Sequence, residues 1–523
     1  MAHVETDVLV IGCGISGATA ALHLAKNPSL RITVLTSAAD PHESNTYYAQ
    51  GGIIYRGIDD SPDLLMEDIR RAGAGLSNPR TVRILAEEGP ALLRELLIDE
   101  LGVPFATRPG KGFEYIKEAA HSTERIIHVG DYTGRAIQEK LVEALRARAN
   151  IHLLTRHTAV DLLTPSHHSR RRLAVYEPLS CVGAYAFDQT SGKVDAYLAK
   201  KTILATGGLG RIFLHSTNPP GARGDGLAMA YHAGARIINA EHVQFHPTGF
   251  YQRNQVRFLV TEAVRGAGGR LVDENGRPFM QEYAPQWKDL APRDVVARSI
   301  HQHMLATDSK CVYLDLRSYM SAEKIKAHFP AIYRNALELG VDITKDCIPV
   351  VPAAHYFCGG VWVDEYGRTT IRNLYAIGEV SCTGVHGANR LGSASLLEGL
   401  VWGARAAADV VHTLGEQSIV AADIPPWYDE GLTDTPDPAL IHQDMASIQH
   451  IMWNYVGLVR SARRLDRAIN DLRSLQTEIT RFYGSTKLSD GLIGLRNSVQ
   501  AALLVAQAAW ENKTSSGCHY RED

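Results

Sequence analysis

A short apolar run, Val8-Leu9-Val10-Ile11, leads directly into Gly12-Cys13-Gly14-Ile15-Ser16-Gly17, and a pattern of small residues follows. Glycines at this spacing let the chain turn tightly at the end of a strand and let backbone approach a bulky ligand closely. The helix that follows points N–H groups and the positive end of its dipole at the same place, which suits a pyrophosphate. Residues 7–35 therefore read as one βαβ unit, with strand 7–11, helix 18–26 and strand 31–35. Ala18, Ala20 and Ala21 allow that helix to lie close to a sheet. The second strand ends Leu35-Thr36-Ser37 with no acid, so a hydroxyl is the candidate for a ribose contact. These observations predict an α/β fold of the Rossmann type.

Further along, Thr133 stands where it can cap a helix running to about residue 149. Its Ile137, Leu141 and Leu145 recur every four residues and give one apolar face. Residues 151–204 hold short strand-like runs, such as 151–154 and 174–176. Between them the basic run Pro165-Ser166-His167-His168-Ser169-Arg170-Arg171-Arg172 reads as a solvated hairpin loop. Two more strands run into glycine turns, Thr202-Ile203-Leu204-Ala205-Thr206-Gly207-Gly208 and Asn373-Leu374-Tyr375-Ala376-Ile377-Gly378-Glu379. Residues 239–351 interrupt this series with a mixed pattern of their own. After about residue 420 the pattern turns helical, with stripes at Leu465, Ile469, Leu472 and at Leu492, Leu495, Val499, Leu503. Pro425-Pro426 and the stretch 433–438 punctuate the entry. The expected organisation is a dinucleotide-binding domain over 1–238 and 352–420, an inserted α+β domain over 239–351, and a helical bundle over 421–523.

Composition removes several classes of function. The chain has 523 residues, enough for two to four domains, and a net charge of -3 makes no electrostatic case for nucleic acid. No apolar run approaches the ~18 residues of a membrane span. The first residues lack the positive flank and apolar stretch of a secretory signal, so the cytoplasm is expected. None of the seven cysteines, Cys13, Cys181, Cys311, Cys347, Cys358, Cys382 and Cys518, is spaced as CxxC. Free thiols are expected, with no disulfide, zinc site or iron–sulfur cluster.

A set of ordered motifs carries the functional signal. They are Thr46-Tyr47-Tyr48-Ala49-Gln50-Gly51-Gly52, Gln244-Phe245-His246-Pro247-Thr248, Thr261-Glu262-Ala263-Val264-Arg265-Gly266, Ala291-Pro292-Arg293-Asp294, Pro352-Ala353-Ala354-His355-Tyr356 and His386-Gly387-Ala388-Asn389-Arg390-Leu391. Together they resemble the flavoprotein family of succinate dehydrogenase, fumarate reductase and L-aspartate oxidase, over residues 7–407 and more loosely to the end. The pattern is most similar to the bacterial L-aspartate oxidases. The resemblance implies FAD as cofactor, an FAD-binding domain of the Rossmann type, an inserted capping domain and a C-terminal helical domain. It implies flavin contacts from Gly12, Cys13, Gly14, Ile15, Ser16 and Gly17, and from Asn45, Thr46, Tyr47, Tyr48, Ala49, Gln50, Gly51 and Gly52. Further contacts are implied from Asp225, Glu379, Ser395 and Leu396, and from Ser37, where aspartate oxidases can carry a lysine. In one branch of the family a histidine at the place of Asn45 is bonded to flavin. An asparagine there implies FAD held without a covalent bond.

For the substrate, the resemblance implies that Arg390 and His355 hold one carboxylate of a C4 dicarboxylate while His246 and Thr261 hold the other. Arginine suits this task because its donors match carboxylate geometry. Arg293 is implied as the catalytic residue, with Glu262 as the carboxylate that reloads it, and Arg265 is left structural. Aspartate differs from succinate by an ammonium, which calls for a nearby acid. Glu118 is the candidate, in Lys117-Glu118-Ala119-Ala120-His121-Ser122, where aspartate oxidases resemble this stretch with two glycines in place of the alanines. The implied activity is FAD-dependent oxidation of L-aspartate to iminoaspartate with oxygen or fumarate as acceptor. This would be the first step of NAD biosynthesis through quinolinate, with quinolinate synthase as a partner. The alternatives are a soluble fumarate reductase or a succinate dehydrogenase flavoprotein subunit, and, more remotely, a flavin-binding module without catalysis.

Overall fold

The computed structural model describes residues 3–523 except 111, 119, 254, 417–423 and 433, and of Arg257 and Glu416 the backbone alone. A seven-stranded sheet forms its centre. In sheet order the strands are Ile151–Leu154, Ile32–Leu35, His3–Ile11, Lys193–Leu204, Gly183–Asp188 and His157–Leu163, and Leu374–Ala376 also pairs with Lys193–Leu204. The strands nearest His3–Ile11 are parallel, and their apolar runs are buried on both faces as parallel strands require. Register decides where the site lies. Ile11 pairs with Leu35 on one side and Leu204 on the other, and Leu204 pairs with Ala376. The turns that follow these strands therefore emerge side by side along one edge, at residues 12–17, 36–40, 205–208 and 377–379.

The first helix, Ile15–Ala25, starts three residues before the expected 18, because Gly17 belongs to it. A Cβ on Gly17 would lie 2.0 Å from the Gly12 carbonyl oxygen, so only glycine permits this tight entry. Gly12 itself has φ +112° and backs onto the Ala205 carbonyl. The helix Thr133–Ala147 buries Ile137, Leu141 and Leu145 against the sheet, but Thr133 is not its cap. Tyr132 holds that position, and the Thr133 hydroxyl accepts from the Val129 N–H at 2.9 Å. The run 174–176 is not a strand. It lies in the 3₁₀ turn Arg172–Tyr176 with Leu173, Val175 and Tyr176 exposed, since no neighbouring strand covers it. The basic run forms part of the connection between the antiparallel strands His157–Leu163 and Gly183–Asp188, and it includes the short helix Pro165–His168.

A second, wholly antiparallel sheet has the order Gln255–Leu259, Val243–Gln252, Ile348–Phe357, Val312–Asp315, Arg270–Val272. Helices including Arg293–Thr307 and Pro330–Glu338 accompany it, and it buries a core of its own around Phe250, Leu271, Ile300 and Leu314. The expected division at 351/352 falls inside the strand Ile348–Phe357, and the one at 420/421 falls outside the described residues. Helices Pro438–Tyr455, Ala462–Ser485 and Asp490–Glu511 close the chain. Their stripes at Leu465, Ile469, Leu472 and Leu495, Val499, Leu503 join one core with the central sheet. Thr433 of the expected entry lies outside the described residues. Among the described residues no helix is long and apolar enough to cross a membrane.

Candidate active site

A cavity of about 1570 Å³ follows the strand ends of the central sheet and continues beneath the second sheet. Its first arm is lined by Gly12, Cys13, Gly14, Ile15, Ser16, Ser37, residues 45–52, Asp225, Glu379, Ser395 and Leu396. Gly17 is the exception: it lies behind the turn and serves its closure. Thr46 pins the 44–52 segment to the glycine turn by accepting from the Ile15 N–H at 3.0 Å. Gln138 ties the other side by donating to the Cys13 carbonyl at 2.9 Å. Asp225 accepts from Arg223 at 2.9 Å and from Asn497 at 3.0 Å, so the last helix braces this wall. Asn45 donates from Nδ2 to Glu379 Oε2 at 2.6 Å and accepts from Asn218 at 3.2 Å. Burial pushes Glu379 up to about 7.

The second arm gathers His246, Thr261, Arg293, His355, Arg390 and Glu118 in its lining. Motifs far apart in the chain thus meet because Val243–Gln252 and Ile348–Phe357 are paired strands. The rings of His246 and His355 lie 5.4 Å apart, and both titrate well below the ordinary range, through burial first and the nearby arginines second. Both are neutral at pH 7. Nδ1 of His246 accepts from the Thr248 N–H at 3.2 Å, which leaves Nε2 as the protonated, donating nitrogen. Nδ1 of His355 contacts the Thr217 hydroxyl at 2.9 Å.

The two arginines are held differently. Arg390 donates to Gln244 Oε1 at 3.0 Å and to the Ser395 hydroxyl at 3.3 Å, and its guanidinium lies 4.6 Å from the Tyr356 ring centre. Its Nε is buried without a protein partner, and among the described residues it has no ion pair with a carboxylate. Burial, and then Arg293, lower its hold on a proton. This is a cation placed for an anion from outside the chain. Arg293, the first residue of its helix, donates from Nε to Glu262 Oε2 at 2.6 Å. Burial works against its charge, yet Glu262 and Glu118 hold its pKa above the ordinary value. Glu262 lies behind Arg293 and is not on the cavity wall. Burial raises its pKa, but Arg293 and Arg265 pull it below the ordinary range, so it is ionised. Arg265 is fully buried, 3.9 Å from Glu262.

Glu118 and Arg293 meet at the Gly392 turn, where a Cβ would lie 2.5 Å from Glu118 Oε2 and 3.3 Å from Arg293 Nη2. Burial raises its pKa, opposed by Arg293 and by a hydrogen bond from Ser393. Ala120 has φ +67°, a left-handed conformation that costs an alanine about 1 kcal/mol or more. Ala119 lies outside the described residues.

Residues 7–396 match the FAD binding domain family, and residues 445–523 match the fumarate reductase flavoprotein C-terminal family. The chain is 43% identical to the L-aspartate oxidase of Pseudomonas aeruginosa, with 100% of this chain and 96% of that one covered. It is 41% identical to the L-aspartate oxidase of Halobacterium salinarum, over 99% and 96% of the two chains. The chain belongs to the L-aspartate oxidase family. Among solved structures, Escherichia coli quinol fumarate reductase FrdA superposes with a TM-score of 0.87 at 27% identity, covering 100% of this chain and 92% of that one. The cofactor of the family is FAD, and the first arm fits it. Gln50 Oε1 and Thr206 Oγ1 are buried there without partners, and Gly14 opens the first helix with no side-chain cap. At Gly208 a Cβ would meet Glu379 Oε1 at 2.1 Å, so the wall is as recessed as this backbone allows.

Several residues that hold the site have no role assigned from the sequence. Thr217 and Asn218 reach His355 and Asn45, and Tyr356 and Gln244 hold Arg390. Gln244 could have been found, because it sits two residues from His246 on a strand and shares its face. Thr217 and Asn218 precede Pro219-Pro220-Gly221, a turn signal that points to a loop and not to a site.

Proposed function

We propose that this protein oxidises L-aspartate to iminoaspartate, using FAD held without a covalent bond and oxygen or fumarate as acceptor. The observation that carries the reading is the acid Glu118 set opposite the cationic pair Arg390 and Arg293 in one cavity. Arg390 and His355 bind one carboxylate of aspartate, and the Nε2–H of His246 with the Thr261 hydroxyl binds the other. Glu118 takes the ammonium, which compensates the cost of burying that acid. Asn45 supports noncovalent binding, since an amide nitrogen engaged with Glu379 is no nucleophile.

FAD, when bound, supplies the hydride acceptor. The side chains supply orientation and proton handling. Formation of a C=N bond requires that the substrate ammonium lose a proton before hydride leaves Cα, and Glu118 and Arg293 are titratable groups near that position. Arg293 is protonated at rest, so it orients the substrate and balances charge. With fumarate in the same site, its guanidinium is the available proton donor. Its short bond from Nε to Glu262 gives the path by which that proton is replaced, and Arg265 stands behind Glu262. Arg390 and the neutral histidines accommodate succinate and fumarate as well, which supports dicarboxylates as the substrate class. We further propose a cytoplasmic enzyme that hands its labile imine product to quinolinate synthase.

The test is peroxide production in air with L-aspartate beside a succinate control, for the natural protein and for Glu118→Gln. Aspartate-dependent peroxide is expected, with the variant losing at least about tenfold in kcat/KM for aspartate. Peroxide from succinate but not aspartate would favour the respiratory relatives instead.

A further inference from the structure

Glu118 is not held by its own loop. Its carboxylate is enclosed by backbone from two distant parts of the chain. A Cβ on Gly51 would sit 2.6 Å from Oε1, and one on Gly392 would sit 2.5 Å from Oε2. The Ser393 hydroxyl donates to Oε2 at 3.0 Å. Three residues along the Glu118 loop, His121 is 3% exposed and its Nε2 donates to the Gly392 carbonyl at 3.1 Å. A carbonyl only accepts, so the proton of His121 sits on Nε2. The loop 118–121 is thus fastened at both ends to the turn 392–393. That turn lies two residues after Arg390 and immediately before the long helix Ala394–Thr413. Ser393 has φ +57°, a strained conformation for serine that glycine would adopt freely.

From this we propose that the Gly392-Ser393 turn is a specificity element: through Ser393 and His121, two positioning residues, it fixes Glu118 at a set distance from Arg390. The proposal rests on the reading that Glu118 takes the substrate ammonium. One rigid turn then carries the group that recognises a carboxylate and fixes the group that recognises the amine beside it. An acid that could swing away would bind aspartate and succinate with little distinction. Held between two glycines and a hydroxyl, it keeps only the nearby arginines as counter-charge beside a ligand without an ammonium, and much of the cost of its burial is then left uncompensated.

The test uses the FAD-loaded enzyme and measures Kd for L-aspartate and for succinate by titration calorimetry, in Ser393→Gly, Glu118→Gln and the double variant. Glycine suits the positive φ, so Ser393→Gly removes the hydroxyl and leaves the backbone path open to the same turn. FAD content and a thermal melt of each variant report folding. The aspartate-to-succinate affinity ratio is expected to fall about tenfold in Ser393→Gly, and at least as far in Glu118→Gln. In the double variant it should fall no further than in Glu118→Gln alone, because the hydroxyl acts only through the acid. A ratio unchanged in Ser393→Gly but lowered in Glu118→Gln would overturn the positioning role and leave the reading of Glu118 standing. A ratio unchanged in Glu118→Gln would overturn both. Additive losses in the double variant would show that Ser393 acts by another route and would also defeat the proposal.

Discussion

Arg293 occupies the first position of a helix, the end whose dipole disfavours a cation. It keeps its charge because Glu262 sits 2.6 Å away and Glu118 faces it. A group held this way keeps its charge inside the cavity, where it is available to the reaction. Arg293→Leu is expected to cut turnover with L-aspartate by about a hundred- to a thousandfold, the scale seen when a charge-stabilising donor is removed. Bound FAD, measured by its visible absorbance after gel filtration, should be retained, since Arg293 is held by Glu262 in the second arm. A variant with near-natural turnover would remove Arg293 from the chemistry. His246, His355, Arg293 and Arg390 were legible in the sequence because each lies in a motif, and their convergence follows from strand pairing. Ser393 and Tyr356 were not, because their work is to hold other side chains and no residue type signals that task, whereas Gln244 shares a strand face with His246 and was within reach.

The loop that carries Glu118 is anchored as an element by Arg125, which is fully buried with two buried acids. Arg125 donates to Asp68 at 2.7 Å, and its other terminal nitrogen is 3.0 Å from Asp60. Asp68 also accepts from the Ser122 N–H at 2.7 Å, which ties this ion cluster to the loop. Arg125→Ala leaves the buried Asp60 carboxylate without a cation, and Asp68 with Arg71, 2.6 Å away, as its remaining partner. It is expected to destabilise the fold by about 3–5 kcal/mol in urea titrations, and to raise KM for aspartate more than for fumarate. A loss below about 1 kcal/mol would mean that Asp60 and Asp68 find other partners. Elements bounded by strong local chemistry were readable: the strands at 202–204 and 374–376 run into glycines, and the C-terminal stripes have clean helical spacing. The run 174–176 misled because apolar residues make a strand only where a neighbour covers them. Helix Pro438–Tyr455 carried a weak signal because only Ile448, Met452 and Trp453 are buried along it.

At the scale of the whole molecule, burial of histidine sets the response to acid. His121, His215, His301 and His519 are buried, each pushed down to about 4 by burial, and His246 and His355 lie well below 6.5 for the same first reason. In the unfolded chain each titrates near 6.5. Between pH 6.5 and 4 the unfolded state therefore binds more protons, and stability falls as pH falls through that window. Glu379 acts in the opposite sense. Its folded pKa of about 7 exceeds the unfolded value, so it takes up its proton on the folded side first and offsets one histidine. The histidines outnumber Glu379, so unfolding takes up protons in this window. Urea titrations from pH 7.5 to 5 should show stability falling steadily as pH falls. A flat profile would mean that these histidines are protonated in the folded state, which would also remove the neutral His246 and His355 on which the dicarboxylate site depends. Aspartate added at saturating concentration should stabilise the folded state and shift the transition to lower pH, since binding needs both rings neutral and Arg390 charged.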